Sequence, residues 1–274
     1  MTIINSNNVV LQNGVQMPIL GLGVWKVTDE VAEITVRQAI EAGYRAIDTA
    51  AGYGNEAGVG RGIAASGVNR EQIFVTTKIR NGDQGYQEAL AAFDDSRSKL
   101  NMDIVDLLLI HWPVKGKYTE TWKAVEEIYA KGYARAIGVS NFQTHHLDDI
   151  AAMSEITPMV NQVEFHPLLT QEPLRQYCAS HNIKVTAWSP LMQGNLDIPL
   201  LQNIATKYNK SAAQIVLRWD IQNGVITIPK TITPARLVEN ANVFDFELTS
   251  DEIAQISALN ENKRFGPDPD NFNF

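Results

Sequence analysis

Apolar residues recur along this chain in two alternating rhythms. Short runs rich in Val, Ile, Leu and Phe begin near Leu20, Ala46, Phe74, Val105, Ala134, Met159, Val185 and Val225. Some, such as Ile104 to Ile110, are nearly continuous in apolar side chains, as expected of strands covered on both faces. Between them, Asp29 to Ala42, Gln87 to Leu100, Glu120 to Lys131 and Ala212 to Ile221 carry apolar positions at helical spacing. The runs start 25 to 31 residues apart, except for a last gap of 40. Each interval is long enough for a strand, a turn, a helix and a second turn. Eight such units predict an α/β fold, a (β/α)8 TIM barrel. A doubly wound sheet is the rival, but its first strand normally leads into a glycine-rich nucleotide turn. Here that segment reads GLGVWK, without a third glycine.

Other segments decorate the barrel. Val9 to Leu11 and Val15 to Met17 flank Asn13-Gly14, two residues that tolerate positive φ, which predicts an N-terminal β-hairpin. The long gap leaves room for a loop from Trp188 to Pro199 and a turn of helix before Ala212. After the last barrel helix comes a further helix, roughly Ser250 to Leu259, and then the irregular ending KRFGPDPDNFNF. The aromatic rings of that ending, Phe265, Phe272 and Phe274, need a surface to pack on, so the tail is expected to cover the active-site mouth. No stretch reads as a linker, and residues 1–274 are read as a single domain.

Composition narrows the partners. The 274 residues hold 23 Lys and Arg against 31 Asp and Glu, a net charge of −8, which disfavours nucleic acid and anionic membranes. No apolar run approaches the ~18 residues of a membrane span, and MTIINSNNVV lacks the features of a secretory signal. A soluble, cytoplasmic protein is expected. Cys178 is the single cysteine, so neither an internal disulfide nor a zinc site is expected. His145 and His146 are neighbours on a predicted helix and should point in different directions, as surface residues rather than metal ligands. No metal site is expected. The phosphate-binding loop G-x-x-x-x-G-K-[ST] and the G-x-S-x-G hydrolase elbow are both missing.

The chemistry lies at the strand ends, where (β/α)8 enzymes place their active sites. In order these ends offer Asp48, Lys78, His111, Ser140 with Asn141, Gln162, Trp188 and Lys230. Tyr53 follows Asp48 by five residues. Singly, each has an ordinary explanation: a turn opener for Asp48, a snorkelling cation for Lys78, a helix cap for Asn141. Together they line one pocket. A tyrosine, a lysine, an aspartate and a histidine suit proton transfer to a carbonyl oxygen. An ammonium about 4 Å from a phenol stabilises the phenolate by up to about 4 kcal/mol, which brings its pKa from about 10 to near 7. Aspartate would keep the lysine charged, and a neutral histidine would orient the substrate oxygen. None of these groups donates hydride, so a reduction would need a nicotinamide cofactor. A Schiff base on Lys78, as in a class I aldolase, is an alternative, and a non-catalytic nicotinamide-binding subunit is another.

GYRAIDTAAGYGNE (43–56), VTTK (75–78), LLLIHWP (107–113), IGVSNF (137–142) and NQVEFHP (161–167), with AWSPL (187–191) and IPKTITPARLVEN (228–240), resemble the aldo-keto reductase family. The likeness runs from about Leu20 to the C-terminus and is nearest to the branch of 2,5-diketo-gluconate reductases and glyoxal or methylglyoxal reductases. It implies a catalytic tetrad of Asp48, Tyr53, Lys78 and His111, with Tyr53 as general acid. It implies that Ser140, Asn141 and Gln162 bind the nicotinamide carboxamide and that Trp188 stacks on the ring. Ser189, Leu191, Gly194 and Asn195 would line the pyrophosphate. Lys230, Thr231 and Arg236 would hold a 2′-phosphate, with Glu239 and Asn240 at the adenine. Two cations aimed at one phosphate favour NADPH (NADP+) over NADH. Histidine rather than glutamate at position 111 favours carbonyl over carbon–carbon reduction. Trp25, Trp112, Phe265 and Phe272 would wall the pocket for a small carbonyl substrate. The resemblance also suggests a monomer.

Overall fold

A computed structural model describes residues 7–274. The N-terminal hairpin pairs β1 (Asn8–Val10) with β2 (Gln16–Pro18), Val10 opposite Gln16. Its loop is longer than a two-residue turn. The Leu11 N–H donates to the Val15 carbonyl, and the Gly14 N–H donates to the Leu11 carbonyl. Asn13 keeps negative φ and only Gly14, at 85°, enters the left-handed region. This is the three-residue loop in which a glycine bulge restores the strand twist.

Eight parallel strands follow: β3 (Leu22–Gly23), β4 (Ala46–Asp48), β5 (Phe74–Ile79), β6 (Val105–Ile110), β7 (Ala134–Ser140), β8 (Val160–Glu164), β9 (Lys184–Trp188) and β10 (Ile226–Thr227). They are hydrogen-bonded in chain order. Parallel bridges from Leu20 to Thr227 and from Gly23 to Lys230 join the first strand to the last and close the barrel. Every residue of β5 and β6 is buried, as coverage of both faces requires.

Helices α1 (Asp29–Glu41), α2 (Glu56–Ala65), α3 (Tyr86–Leu100), α4 (Tyr118–Ala130), α5 (Thr144–Ala151) and α6 (Glu172–Ser180) alternate with the strands. In α1 the buried residues are Ala32, Thr35, Val36, Ala39 and Ile40, a single stripe at i, i+3, i+4, i+7 and i+8. Between β9 and β10 stand α7 (Pro199–Tyr208) and α8 (Ala212–Gln222), and after β10 come α9 (Pro234–Ala241) and α10 (Ser250–Ser257). The turn of helix expected before Ala212 is in fact the ten-residue α7. Pro199 opens it where no N–H partner is needed, and Leu201, Ile204 and Ala205 bury its inner face. Among the described residues, no helix is long and apolar enough to cross a membrane.

The irregular tail crosses the C-terminal mouth of the barrel. The N–H groups of Glu261 and Lys263 donate to the Leu168 carbonyl. Further on, Gln193 donates to the Phe265 carbonyl and Asn81 to that of Phe274.

Candidate active site

Lys78 lies in β5 with no exposed surface, so it does not snorkel. Its Nζ donates to Asp48 Oδ1 at 2.5 Å, to the Thr49 carbonyl at 2.9 Å and to Tyr53 Oη at 3.2 Å. An ammonium has three hydrogens to give, and all three are placed. That leaves no free amine for a Schiff base, which sets aside the aldolase reading. Burial works against the Lys78 charge, but Asp48 and Tyr53 outweigh it and hold the ammonium above its ordinary range.

Tyr53 closes a short turn, Ala51–Tyr53, beyond β4. Because Lys78 can only donate, the tyrosine oxygen accepts from it, and the phenol hydrogen is free to point elsewhere. Burial pushes this phenol above its ordinary 10.0 by more than the Lys78 charge pulls it down, and Asp48 adds to the rise. The expectation of a value near 7 is therefore corrected. A pairwise Coulomb argument left out the desolvation of the phenolate.

His111 follows β6, its ring 5.6 Å from that of Tyr53 at 72°. Burial and the Lys78 charge pull it down to about 3. The ring is neutral near pH 7 and has one N–H to donate; among the described residues neither ring nitrogen has a hydrogen-bond partner.

Asp48, Tyr53 and His111 share a cleft of about 800 Å3 with Ser140, Asn141, Gln162, Trp188, Ser189 and Lys230. The two groups are physically linked. Gln162 in β8 donates from Nε2 to Asp48 Oδ2 at 2.7 Å, across the barrel. Ser140 Oγ donates to the Gln162 carbonyl. Asn141, at φ 65°, is not the cap of α5, a place taken by Gln143. Its amide donates to the His111 carbonyl and to Ser140 Oγ, while Oδ1 accepts the Trp188 indole N–H at 2.8 Å. Trp188 is thereby tethered through its indole N–H at one side of the cleft.

Beyond Trp188 the chain bends sharply. Ser189, Met192 and Gln193 have φ near 50° and Gly194 has 95°. Non-glycine residues occupy this region at some cost. On the other flank Lys230 and Arg236 are exposed and, among the described residues, neither forms an ion pair. Thr231 Oγ1 accepts the Thr233 N–H, which keeps its own hydrogen available. Glu239 is half-buried, whereas Asn240 faces inward on α9 with Leu237 and Ala241.

The chain matches the Aldo/keto reductase family over residues 19–261. It belongs to that family. Among its relatives, an uncharacterized oxidoreductase, YtbE, of Bacillus subtilis is 59% identical over 271 residues, spanning 96% of each chain. The glyoxal reductase of the same organism is 56% identical over 270 residues, spanning 98% of each. The solved structure of a Gox0644 variant in complex with NADPH is 40% identical with a TM-score of 0.94, covering 98% of this chain and 99% of that one. The protein is thus an oxidoreductase of the aldo/keto reductase family with the (β/α)8 fold.

The walls of this reductase's cleft differ from expectation in one place. Trp25, Trp112 and Phe265 line it, and so does Phe274. Phe272 does not; it packs on the Trp112 ring at 5.1 Å. The histidine pair is a further correction. His146 is 8% exposed, its ring lies 3.9 Å from that of His145, and both reach toward Asp270 in the tail, at 3.7 and 3.2 Å. His146 Nδ1 accepts the Gln143 N–H, so in the neutral ring Nε2 carries the proton and offers no lone pair to a metal.

Sequence reasoning missed Asn55, which is fully buried. Its amide accepts from Thr49 and donates to the Val24 and Val27 carbonyls, tying the Trp25 loop to the Tyr53 turn. It also missed Gln193, which lines the cleft.

Proposed function

We propose that this protein is an NADPH-dependent reductase of aldehydes and small α-dicarbonyl compounds or ketones, with Tyr53 as general acid, working as a cytoplasmic monomer. The NADPH complex of a 40% identical relative supports the cofactor, as does the name of the glyoxal reductase for the substrate class. The residues themselves fit it. Lys230 and Arg236 are two cations without an ion-pair partner among the described residues, flanking the start of α9, where a phosphate gains from both charge and helix dipole. The amide oxygen of Gln162 has no donor among the described residues, while its nitrogen is spent on Asp48. Trp188 offers a flat face at the cleft wall. When bound, the dihydronicotinamide supplies hydride.

One observation carries the mechanism: Lys78 donates to Tyr53 Oη while Asp48 and Thr49 hold its other two hydrogens. The phenol enters protonated, because burial raises its pKa. Its hydrogen is free for the carbonyl oxygen of a substrate. As that proton leaves, charge develops on Oη beside a fixed ammonium that is itself wholly buried, and such preorganised stabilisation is strong. His111, neutral, donates a second hydrogen bond to the same substrate oxygen and fixes its approach.

Replacing Tyr53 by Phe removes the proton donor and little else. Turnover of methylglyoxal with NADPH should fall by about 10³ or more, while NADPH still quenches the protein fluorescence with unchanged affinity. Retention of activity within about threefold would refute the assignment of the acid.

A further inference from the structure

Glu164 ends β8 with no exposed surface, directly opposite Trp188 in the parallel register. Its carboxylate has no part in the proton chemistry above. Oε1 accepts the N–H groups of Phe265 at 2.6 Å and Gly266 at 3.2 Å, and Gly266 also reaches Oε2 at 3.3 Å. His166 Nε2 stands 3.2 Å away, with Nδ1 buried and without a partner among the described residues, so the ring proton lies on Nε2 and donates to the same oxygen. Arg264 is 3.9 Å from Oε2. The carboxylate thus grips the tail by two consecutive backbone donors, a strong charge-assisted arrangement. What it presses down is Gly266. A Cβ at that position would lie 2.3 Å from Trp188 Cη2 and 2.9 Å from Cζ3. Only glycine permits this approach, and the far end of the same indole is held by Asn141.

We propose that Glu164 and Gly266 form a brace that sets the plane of Trp188, making Glu164 a positioning residue for hydride transfer. The proposal rests on the reading above that Trp188 faces the nicotinamide. A buried carboxylate is costly unless fully bonded, and here its bonds hold the tail segment whose Gly266 lies against one ring of the cleft. With the brace loosened, the ring tilts and the reacting atoms separate, and misplacement on the ångström scale lowers rate steeply.

The test uses Glu164→Gln, Gly266→Ala and the double variant. In cofactor-free protein, the difference in tryptophan emission between each form and its Trp188→Phe counterpart isolates the Trp188 contribution. Both single variants should shift that contribution. With NADPH and methylglyoxal, kcat should fall about tenfold in each, with NADPH affinity altered by less than about threefold. The kinetic isotope effect from deuterated NADPH should rise. The double variant should lose no more than the worse single one, since both act on the same ring. Gly266→Ala keeps the carboxylate and its bonds, so it decides the matter even if Glu164→Gln does not fold. Unchanged Trp188 emission in Gly266→Ala, or additive losses in the double variant, would overturn the brace. Should the parent protein reduce no carbonyl with NADPH, the proposed function fails, while the cofactor-free emission still judges the brace.

Discussion

Each end of the barrel buries an aspartate beside cations, and the two are built differently. At the N-terminal end Asp106, in β6, accepts from Arg70 and Arg135 at 2.7 Å each and from the Val75 N–H at 2.9 Å. Both guanidinium groups reach water, their side chains 32% and 48% exposed. Arg135 borders an open crevice of about 640 Å3 under the hairpin, together with Arg45 and Glu71. At the C-terminal end Asp48 faces Lys78, which is wholly desolvated and has a phenol among its three partners. Arginine keeps its proton in any protein setting and binds carboxylates as a fork, so the lower cluster can only hold. Lysine in a dry site responds to its neighbours, so the upper cluster can stabilise a charge that comes and goes. The same pairing of charges serves as a rivet below and as part of an acid above.

Three experiments sharpen that contrast. Lys78→Met should have the largest effect, lowering kcat by about 10³ through the loss of phenolate stabilisation. It should also cost about 3 to 5 kcal/mol of stability, because Asp48 is left buried without its cation. Turnover assays and chemical denaturation read the two separately. Asp106→Asn should show the opposite profile: a loss of about 2 kcal/mol in denaturation, with kcat/KM for methylglyoxal unchanged within about twofold. A large kinetic defect there would mean that the two ends are coupled. The smallest effect concerns pH. Tyr53 acts in its protonated form, and burial holds its pKa above the ordinary 10.0, so reduction should be lost only as pH rises past that value. His111, at about 3, stays neutral down to strongly acidic solution. The rate should therefore be level between about pH 6 and about pH 9. A decline centred near 7 would show that the Lys78 charge, rather than burial, governs the phenol.

Much of this molecule is readable in its sequence, for identifiable reasons. Strands buried on both faces write themselves as apolar runs, and a polar residue ending such a run, as at Asp48 or His111, stands out against them. Helix stripes such as that of α1 are equally visible. What stayed hidden depends on partners far along the chain. The link from Gln162 to Asp48 spans 114 residues, and that from Glu164 to Phe265 spans 101 and ends on a backbone N–H. Backbone donors leave no mark in composition, so Glu164 passed as one letter of a motif. Asn55 was missed for the same reason, its carbonyl acceptors belonging to Val24 and Val27. The pairing of Tyr53 with Lys78 can be read off a string, but the depth at which they lie cannot, and that depth decides the direction of the Tyr53 shift. His145 and His146 were separated on the logic of a free helix, and the tail residue Asp270 draws them together.

The carboxylate of Asp48 stands between two groups that can only give hydrogen toward it, the ammonium of Lys78 on Oδ1 and the amide nitrogen of Gln162 on Oδ2. An asparagine of the same shape would have to turn its own NH2 toward one of them, either facing the Lys78 ammonium or forcing the Gln162 amide to turn over. Keeping both bonds as they stand thus calls for two acceptor oxygens at this position, quite apart from the charge they carry.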